Sequence, residues 1–453
     1  MFWRLSVLSI DRPETQFVLS GELSIAYQVF GHGDCDFLYV PGIISHLEIM
    51  WEDSGTSAFL TALGQHFRVI IFDKRGQGMS DRIEGATTLE ERIDDLRAVM
   101  EAVGSKSATL FGLSEGGPVC LLFAATYPDK VERLILFGAM AKFWGSEDYP
   151  HRPRLESVLE PFIANWGTGQ FVTRAGPKGG FDADQLKSLA KYERMACSPS
   201  SARKFLIAND LIDVRPILPN VFQDTLVIQR RHDKLVSRGN GRYLADHIPN
   251  ATYLELPTTS HSPQFEDSAE VLESIVRFVK VSRLGRSEHL EDKKLTTALF
   301  TDIVGSTEKL IQMGDQAWRK ALDQHYAVAS VLVKQFRGRI VKNTGDGLLA
   351  VFDGPVRALQ CALALVQALE AIGLPIRAGL HVGEVVNRGE DVTGIAVNIA
   401  ARVMDKARSG EILATRTLRD LTGGSDMAFA SRGEYELKGL SEHFELFCPA
   451  MQG

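Results

Sequence analysis

Residues 338–352 read GRIVKNTGDGLLAVF, in which two apolar runs flank a Gly-Asp-Gly break. A break of this kind between apolar runs is typical of a tight β-hairpin. The hairpin would hold Lys342 and Asp346, a cation and an anion, across one turn. By itself this pattern favours a solvated turn with an incidental ion pair, so its meaning depends on the neighbouring segments.

The segment before the hairpin supplies a second carboxylate. Residues 299–307 read LFTDIVGST, an apolar strand that reaches Asp302 and then turns at Ser306 and Thr307, where a helix can begin. A carboxylate beside a helix N-terminus suits a metal-bound phosphate, because the free backbone N–H groups face the phosphate oxygens. Asp302 and Asp346 together predict a site for two divalent ions and an in-line displacement at phosphorus.

A third block follows the hairpin. Residues 391–402 read DVTGIAVNIAAR and place Asn398 and Arg402 four residues apart on one face of a predicted helix. The three blocks resemble the catalytic domain of class III nucleotide cyclases, and the resemblance runs through essentially all of residues 293–453. It implies an α+β fold and a reaction that converts ATP to cyclic AMP and pyrophosphate.

The resemblance also implies a role for each matching residue, and no matching position is substituted. The implied metal ligands for two Mg²⁺ or Mn²⁺ ions per site are Asp302, Ile303 and Asp346. The implied nucleotide contacts are Ile303, Gly305, Ser306, Thr307, Lys342, Asp391, Arg377 and Lys438, and the implied catalytic pair is Asn398 and Arg402.

Base selectivity is expected from Lys342 and Asp391, where guanylate cyclases typically carry Glu and Cys. Lys342 can donate to adenine N1 and Asp391 can accept from the exocyclic amine, whereas guanine presents the opposite pattern. Arg402 offers a planar charged fork for phosphate oxygens.

Family active sites lie between two such domains, and one cyclase block is visible here. The resemblance therefore implies a homodimer with two shared sites and an inactive monomer.

The N-terminal half has a different pattern. Short apolar runs alternate with helical stretches, which predicts an α/β fold with a mostly parallel sheet. The predicted strands are residues 37–40, 68–72, 108–111, 133–137 and 225–228. Residues 110–117 read LFGLSEGG and match the G-x-S-x-G nucleophile elbow between a strand and a helix, with Ser114 at its centre.

Asp233 and His261 each follow a predicted strand, in the chain order that this elbow requires. The whole stretch resembles the α/β-hydrolase superfamily, which implies Ser114 as nucleophile, His261 as general base and Asp233 as its orienting acid. Backbone N–H groups of Ile43 and Glu115 can serve as oxyanion donors. The competing interpretation is a hydrolase scaffold retained as a sensory or docking module.

Domain bounds follow from these patterns. We expect a hydrolase-like domain at residues 1–280, a linker at 281–292 and a cyclase domain at 293–453. Residues 140–215 interrupt the α/β pattern and predict a helical cap over the serine, whose charged and aromatic residues we assign to packing. The charge-dense linker favours a solvated connection, and a short transducing helix is the alternative.

Composition adds broader limits. The net charge of −7 gives no electrostatic case for nucleic acid or membrane binding, and no apolar run approaches a membrane span. Five scattered cysteines without a CxxC motif predict buried thiols in a reducing compartment, hence a cytoplasmic location.

The leading hypothesis is a homodimeric adenylate cyclase whose N-terminal domain regulates it, by binding a small molecule or ester, or adds an esterase-type activity. One alternative is a serine esterase or lipase with a nucleotide-binding regulator. The other makes both halves binding modules.

Overall fold

The computed structural model describes residues 12–173, 175–281, 293–389, 391–440 and 442–451. The chain divides into two compact units, residues 1–288 and 289–453. The expected linker at 281–292 lies outside the described residues except for Val281, which ends a helix. Within the described residues, no helix is both long enough and apolar enough to cross a lipid bilayer.

In the described part of the N-terminal unit, eight strands form one sheet in the order β1-β2-β4-β3-β5-β6-β7-β8. Strands β3 to β8 are parallel, and β1 and β2 add an antiparallel edge. The mostly parallel α/β fold is thereby confirmed, and the antiparallel edge is an addition that the sequence did not predict. The strands are β1 Gln16–Ser20, β2 Leu23–Phe30, β3 Asp36–Val40, β4 Arg68–Phe72, β5 Ala108–Leu113, β6 Val131–Phe137, β7 Thr225–Arg230 and β8 Ala251–Leu256.

Helices cover both faces of this sheet. Phe37 and Phe111 pack in one cluster with residues of the first and last helices, while the alternate residues Leu38 and Leu110 are buried on the other side. Four helices, α4 to α7, are inserted between β6 and β7, where the cap was expected. The helices are α1 Ser54–Gly64, α2 Leu89–Ala102, α3 Gly116–Thr126, α4 Leu155–Ala164, α5 Gln170–Thr173, α6 Ala183–Ala196, α7 Pro199–Ala208, α8 Arg238–His247 and α9 Ser268–Val281.

The C-terminal unit has the expected α+β fold. Its described strands follow the order β10-β11-β9-β12-β14-β16-β15, and β13 pairs with β12. The strands are β9 Lys293–Ile303, β10 Arg339–Asn343, β11 Gly347–Phe352, β12 Ile376–Arg388, β13 Asp391–Thr393, β14 Ile412–Thr415, β15 Met427–Glu436 and β16 His443–Met451. The helices are α10 Ser306–Met313, α11 Asp315–Gln335, α12 Pro355–Ala371, α13 Ile395–Lys406 and α14 Arg416–Asp420.

Strand β9 lies between β11 and β12 and is antiparallel to both. Its register sets Asp302 opposite Gly347 on one side and opposite Arg377 on the other. The predicted hairpin is present as β10 and β11, which carry Asp346 in their connecting turn. The sheet thus brings Asp302, Asp346 and Arg377, which lie far apart in the sequence, together at the end of β9.

The close pairing of β9 with β11 depends on a glycine. A Cβ atom at position 347 would lie 1.9 Å from the carbonyl oxygen of Thr301, which is far inside van der Waals contact. We expect Gly347→Ala to destabilise the C-terminal unit by about 1–3 kcal/mol, because the strands would have to separate. Thermal unfolding followed by circular dichroism measures this loss.

The matched control is Gly85→Ala, since a Cβ atom at that position meets no heavy atom within 4 Å. We expect the control to leave the unfolding midpoints unchanged. A Gly347→Ala protein that unfolds at the temperature of the unmodified chain would contradict this account of the β9–β11 pairing.

Candidate active sites

Ser114 occupies a strained turn between β5 and α3. Its φ of +52° lies in the left-handed region, which residues other than glycine rarely adopt. A Cβ atom at Gly116 would lie 2.4 Å from the carbonyl oxygen of Val40, so only glycine lets α3 start this close to β3. The backbone N–H of Ser114 donates to the Phe137 carbonyl at 2.9 Å. The turn therefore has the geometry of a nucleophile elbow.

His261 and Asp233 form a buried pair. His261 Nδ1 lies 2.7 Å from Asp233 Oδ2, and Asp233 Oδ1 accepts from the backbone N–H groups of Leu235 and Val236 at 2.8 and 3.0 Å. With the carboxylate ionised, the Nδ1 proton faces Asp233, and Nε2 is left to act as a base. Ser114 and His261 line the same cavity of about 570 Å³. The structure thus pairs His261 with Asp233 and places Ser114 and His261 on the lining of one cavity.

A buried charge cluster that the sequence did not reveal supports this site. Lys74 Nζ donates to the Gly42 carbonyl at 2.5 Å and to Glu115 Oε2 at 2.9 Å, and Glu115 also pairs with Arg92. Burial lowers the pKa of Lys74, while the adjacent Glu115 opposes that shift. The cluster holds the peptide group between Gly42 and Ile43 and the backbone at Glu115 in place. We expect the N–H groups of Ile43 and Glu115 to stabilise an oxyanion. No motif signals this role for Lys74 or Arg92.

In the C-terminal unit, Asp302 and Asp346 meet at the end of β9. Ser306 Oγ donates to Asp346 Oδ2 at 2.5 Å, and Arg377 Nε and Nη2 donate to Asp302 Oδ2 at 3.1 and 2.7 Å. Burial raises the pKa of Asp302, the Arg377 guanidinium opposes this, and the Asp346 carboxylate adds to it. Two carboxylates that repel each other in this way form a site that favours a cation.

The donor set of this site fits Mg²⁺ or Mn²⁺. No cluster of three or more His, Cys, Asp or Glu side chains that could hold a metal is found within the described ranges. Mg²⁺ is usually held by one or two carboxylates, and substrate phosphates complete its shell. Ile303 lies beside this pair, and its N–H donates to the Asp346 carbonyl at 3.1 Å. Gly305, with φ of +67°, precedes α10, and Thr307 is exposed in its first turn.

Lys342 and Asp391 approach each other although they come from different hairpins. Lys342 Nζ lies 3.4 Å from both Asp391 carboxylate oxygens, and each side chain is about half exposed, 49% and 48%. Asp391 Oδ1 also accepts from the Val392 N–H at 2.8 Å. The hydrogen bond from the Val392 N–H lowers the pKa of Asp391, and the nearby Lys342 lowers it further. A paired donor and acceptor at this separation can bind two adjacent positions on the edge of a purine.

Asn398 and Arg402 lie one turn apart on α13. Asn398 is exposed, whereas Arg402 Nη1 is buried and has no hydrogen-bond partner among the described residues. A Cβ atom at Gly439 would lie 3.5 Å from this Nη1, so the turn after the exposed Lys438 contacts the guanidinium. An unsatisfied buried N–H of a charged group costs free energy. Arg402 Nη1 therefore remains available to donate to an acceptor that is not among the described residues.

Comparisons with known proteins agree with both folds. Residues 37–165 match the family model for the alpha/beta hydrolase fold, and residues 289–448 match the model for the adenylate and guanylate cyclase catalytic domain. The bromoperoxidase from Bacillus anthracis aligns with 59% of this chain and 100% of its own at a TM-score of 0.51 and 22% identity, which shows the fold alone.

Two curated relatives match different shares of the chain. "Putative adenylate cyclase 3" of Rhizobium meliloti is 30% identical over 158 residues, which are 33% of this chain and 27% of the relative. The 3-oxoadipate enol-lactonase 2 of Acinetobacter baylyi is 24% identical over 249 residues, which are 54% of this chain and 89% of the relative. The chain thus spans about a quarter of the cyclase relative and most of the lactonase.

The strain at Ser114 makes a testable prediction. Glycine adopts a positive φ without the Cβ penalty, so Ser114→Gly is expected to be about 1 kcal/mol more stable than Ser114→Ala. Both variants lack the nucleophile, and the difference in their free energies of unfolding, measured with urea, isolates the backbone term. At an unstrained position Ala would instead be the more stable of the two, and that ranking would contradict the elbow geometry.

Proposed function

We propose that this chain, in which an α/β-hydrolase fold precedes an adenylate/guanylate cyclase catalytic domain, converts ATP to 3′,5′-cyclic AMP and pyrophosphate. The observation that carries the proposal is the 3.4 Å approach of Lys342 Nζ to both Asp391 oxygens. With this donor and acceptor, adenine N1 and its exocyclic amine are both satisfied. Guanine has a donor at N1–H and an acceptor at O6, so the Lys342 donor would face a donor and the Asp391 acceptor would face an acceptor.

The remaining residues act on the ribose and the phosphates. Mg²⁺ or Mn²⁺ held by Asp302, Asp346 and the adjacent Ile303 would favour ionisation of the 3′-hydroxyl and neutralise phosphate charge. Arg402 donates to the α-phosphate, where charge develops as the 3′-oxygen attacks and pyrophosphate leaves. Asn398 orients the ribose. Arg377 and Lys438 bind the triphosphate, and for this Arg377 must exchange its contact with Asp302 for phosphate oxygens.

A homodimer accounts for groups that one chain leaves exposed or without a hydrogen-bond partner. Arg402 Nη1 lacks an acceptor among the described residues, and Lys342 and Asp391 are half exposed. At the start of α13, four residues after Asp391, Ile395 is 61% exposed. We propose that a second copy covers this surface and that each site takes its metal ligands from one protomer and Arg402 from the other.

The N-terminal unit supports a second candidate function, serine hydrolysis. Ser114 Oγ would attack an ester carbonyl carbon while His261 Nε2 takes its proton, and His261 then returns the proton to the departing alcohol. In a second step, water attacks the acyl carbon while His261 accepts its proton, and the acid leaves as Ser114 Oγ takes the proton back. The observation that favours this function is the 2.7 Å pairing of His261 with Asp233 beside the Ser114 cavity. The same cavity can instead regulate the cyclase by binding a small molecule.

The first test is cyclic AMP formation from ATP and Mn²⁺ by purified protein. We expect Asp346→Ala to lower the rate at least a hundredfold, because one carboxylate of the metal site is lost. Ser114→Ala is expected to retain cyclase activity, and Asp323→Ala, which removes an exposed aspartate of α11, is the matched control. If no protein forms cyclic AMP while Ser114 cleaves an ester, the hydrolase with a nucleotide-binding regulator becomes the better assignment.

A mixing experiment tests the shared sites. Asp346→Ala and Arg402→Ala are each expected to be inactive as homodimers, since both of their sites carry the same defect. Equal mixing places half of the protein in heterodimers with one intact site, so roughly a quarter of the unmodified activity should return. Activity measured after co-refolding or co-expression reports this recovery. Its complete absence, with mixed dimers verified by differential tagging, would rule out sites built from two chains.

A further inference from the structure

Arg152 lies in the insert between β6 and β7, just before α4, and lines the same cavity as Ser114 and His261. Its guanidinium is held firmly in place. Nε donates to the Phe143 carbonyl at 2.9 Å, and Nη1 donates to the carbonyl of Leu235, in the loop that carries the catalytic acid. The guanidinium also lies over the ring of Phe143, 5.4 Å from its centroid.

Arg152 has no ionic partner of its own. Among the described residues, no carboxylate forms an ion pair with it, whereas Arg203 and Arg215 of the same insert pair with Glu160 and Asp213. Burial lowers the pKa of Arg152 to about 10, although attraction to Asp233 opposes the shift. Asp233 is already bonded to His261. Arg152 thus remains a cation at neutral pH and is not compensated by an acid of its own.

The acids that line the cavity are all engaged elsewhere. Glu52 pairs with Lys191 at 2.6 Å, and Asp53 accepts from the N–H of Thr56 at 2.7 Å to cap α1. Asp73 accepts from two backbone N–H groups.

One more basic side chain lines the cavity close to the catalytic acid. Lys234, the residue after Asp233, is exposed and makes no ion pair with any other described residue. The cavity is thus lined by two cationic side chains, Arg152 and Lys234, that form no direct ion pair with a described residue.

We propose that the Ser114 cavity accepts a carboxylate-bearing ester and that Arg152 binds the carboxylate. Nε and Nη1 already donate to backbone carbonyls, which leaves Nη2 and the second Nη1 hydrogen to hold two carboxylate oxygens. The cavity of about 570 Å³ suits a small ester of this kind. The inference rests on the proposed hydrolase function, in which ester and water become acid and alcohol.

Binding and turnover are tested separately, so that the two proposals can fail independently. Ser114→Ala protein is titrated calorimetrically with monomethyl glutarate and with its neutral counterpart dimethyl glutarate. We expect the monoacid to bind at least roughly tenfold more tightly, because a charge-assisted pair forms in a partly desolvated site. Equal affinities, or tighter binding of the diester, would overturn the inference. This comparison keeps Arg152 intact and does not depend on any further variant.

The second step assigns the preference to Arg152. Arg152→Gln, made in the Ser114→Ala protein, should abolish the preference for the monoacid, and Arg152→Lys should retain part of it. Arg203→Gln removes an insert arginine that does not line the cavity, so it serves as the control with full preference. If Arg152→Gln weakens both ligands equally, the residue only holds the Leu235 loop in place and the inference is wrong.

Turnover by unmodified protein is followed with 4-nitrophenyl hydrogen glutarate and 4-nitrophenyl acetate. Faster cleavage of the charged ester, lost in Ser114→Ala, supports both proposals. Cleavage of both esters without preference for the charged one supports the hydrolase function and counts against the Arg152 inference. Preferential monoacid binding without cleavage of either ester supports the inference and overturns the hydrolase function, leaving a ligand-binding pocket.

Discussion

The antiparallel pairing of β9 with both β11 and β12 brings Asp302 close to Asp346 and Arg377, the charged residues of the candidate metal site. Asp302 sits opposite Gly347 and Arg377 in this register. A shift of one residue would turn the Asp302 side chain to the other face of the sheet and separate it from Asp346. β11 is buried on both faces and most of β9 is buried as well, so a slip would move tightly packed side chains into spaces shaped for their neighbours. The site therefore depends on the same apolar packing that stabilises the sheet.

Desolvated charges play a corresponding part in the N-terminal unit. Lys74, Arg92 and Glu115 are all buried, which is costly unless each charge is paired and hydrogen-bonded. Here the pairing also fixes backbone, because Lys74 donates to the Gly42 carbonyl and Glu115 directly follows Ser114. Pairing of these buried charges thus also holds the N–H groups of Ile43 and Glu115 in position beside Ser114. Such preorganisation is what oxyanion stabilisation requires.

Local patterns in the sequence were sufficient for the fold class and for the motif residues. The hairpin at 338–352 and the elbow at Ser114 are short-range features, since turn chemistry and apolar periodicity specify them directly. The strands β1 and β2 are absent from the sequence-based prediction although they pair with each other across the two-residue turn Gly21-Glu22, because the prediction rests on apolar runs typical of buried parallel strands. The Arg377–Asp302 contact and the Lys74 cluster join residues 75 and 41 positions apart, respectively. The sequence favours a packing role for Arg152, because only the folded chain shows that this residue lines the cavity without a direct ion pair.

The two sites differ in how complete they are within one chain. The hydrolase site has its nucleophile, base, acid and cavity in a single unit. The candidate cyclase site leaves a buried Arg402 nitrogen without a hydrogen-bond partner among the described residues and leaves the Lys342–Asp391 pair half exposed. If the proposed homodimer completes this site, its activity depends on association and therefore on protein concentration. This difference offers a physical basis for regulation. A ligand in the Ser114 cavity alters cyclase output only insofar as it binds the associated and separate chains with unequal affinity. In the proposed homodimer, control of association rather than of chemistry is then the simplest way for the first domain to act on the second.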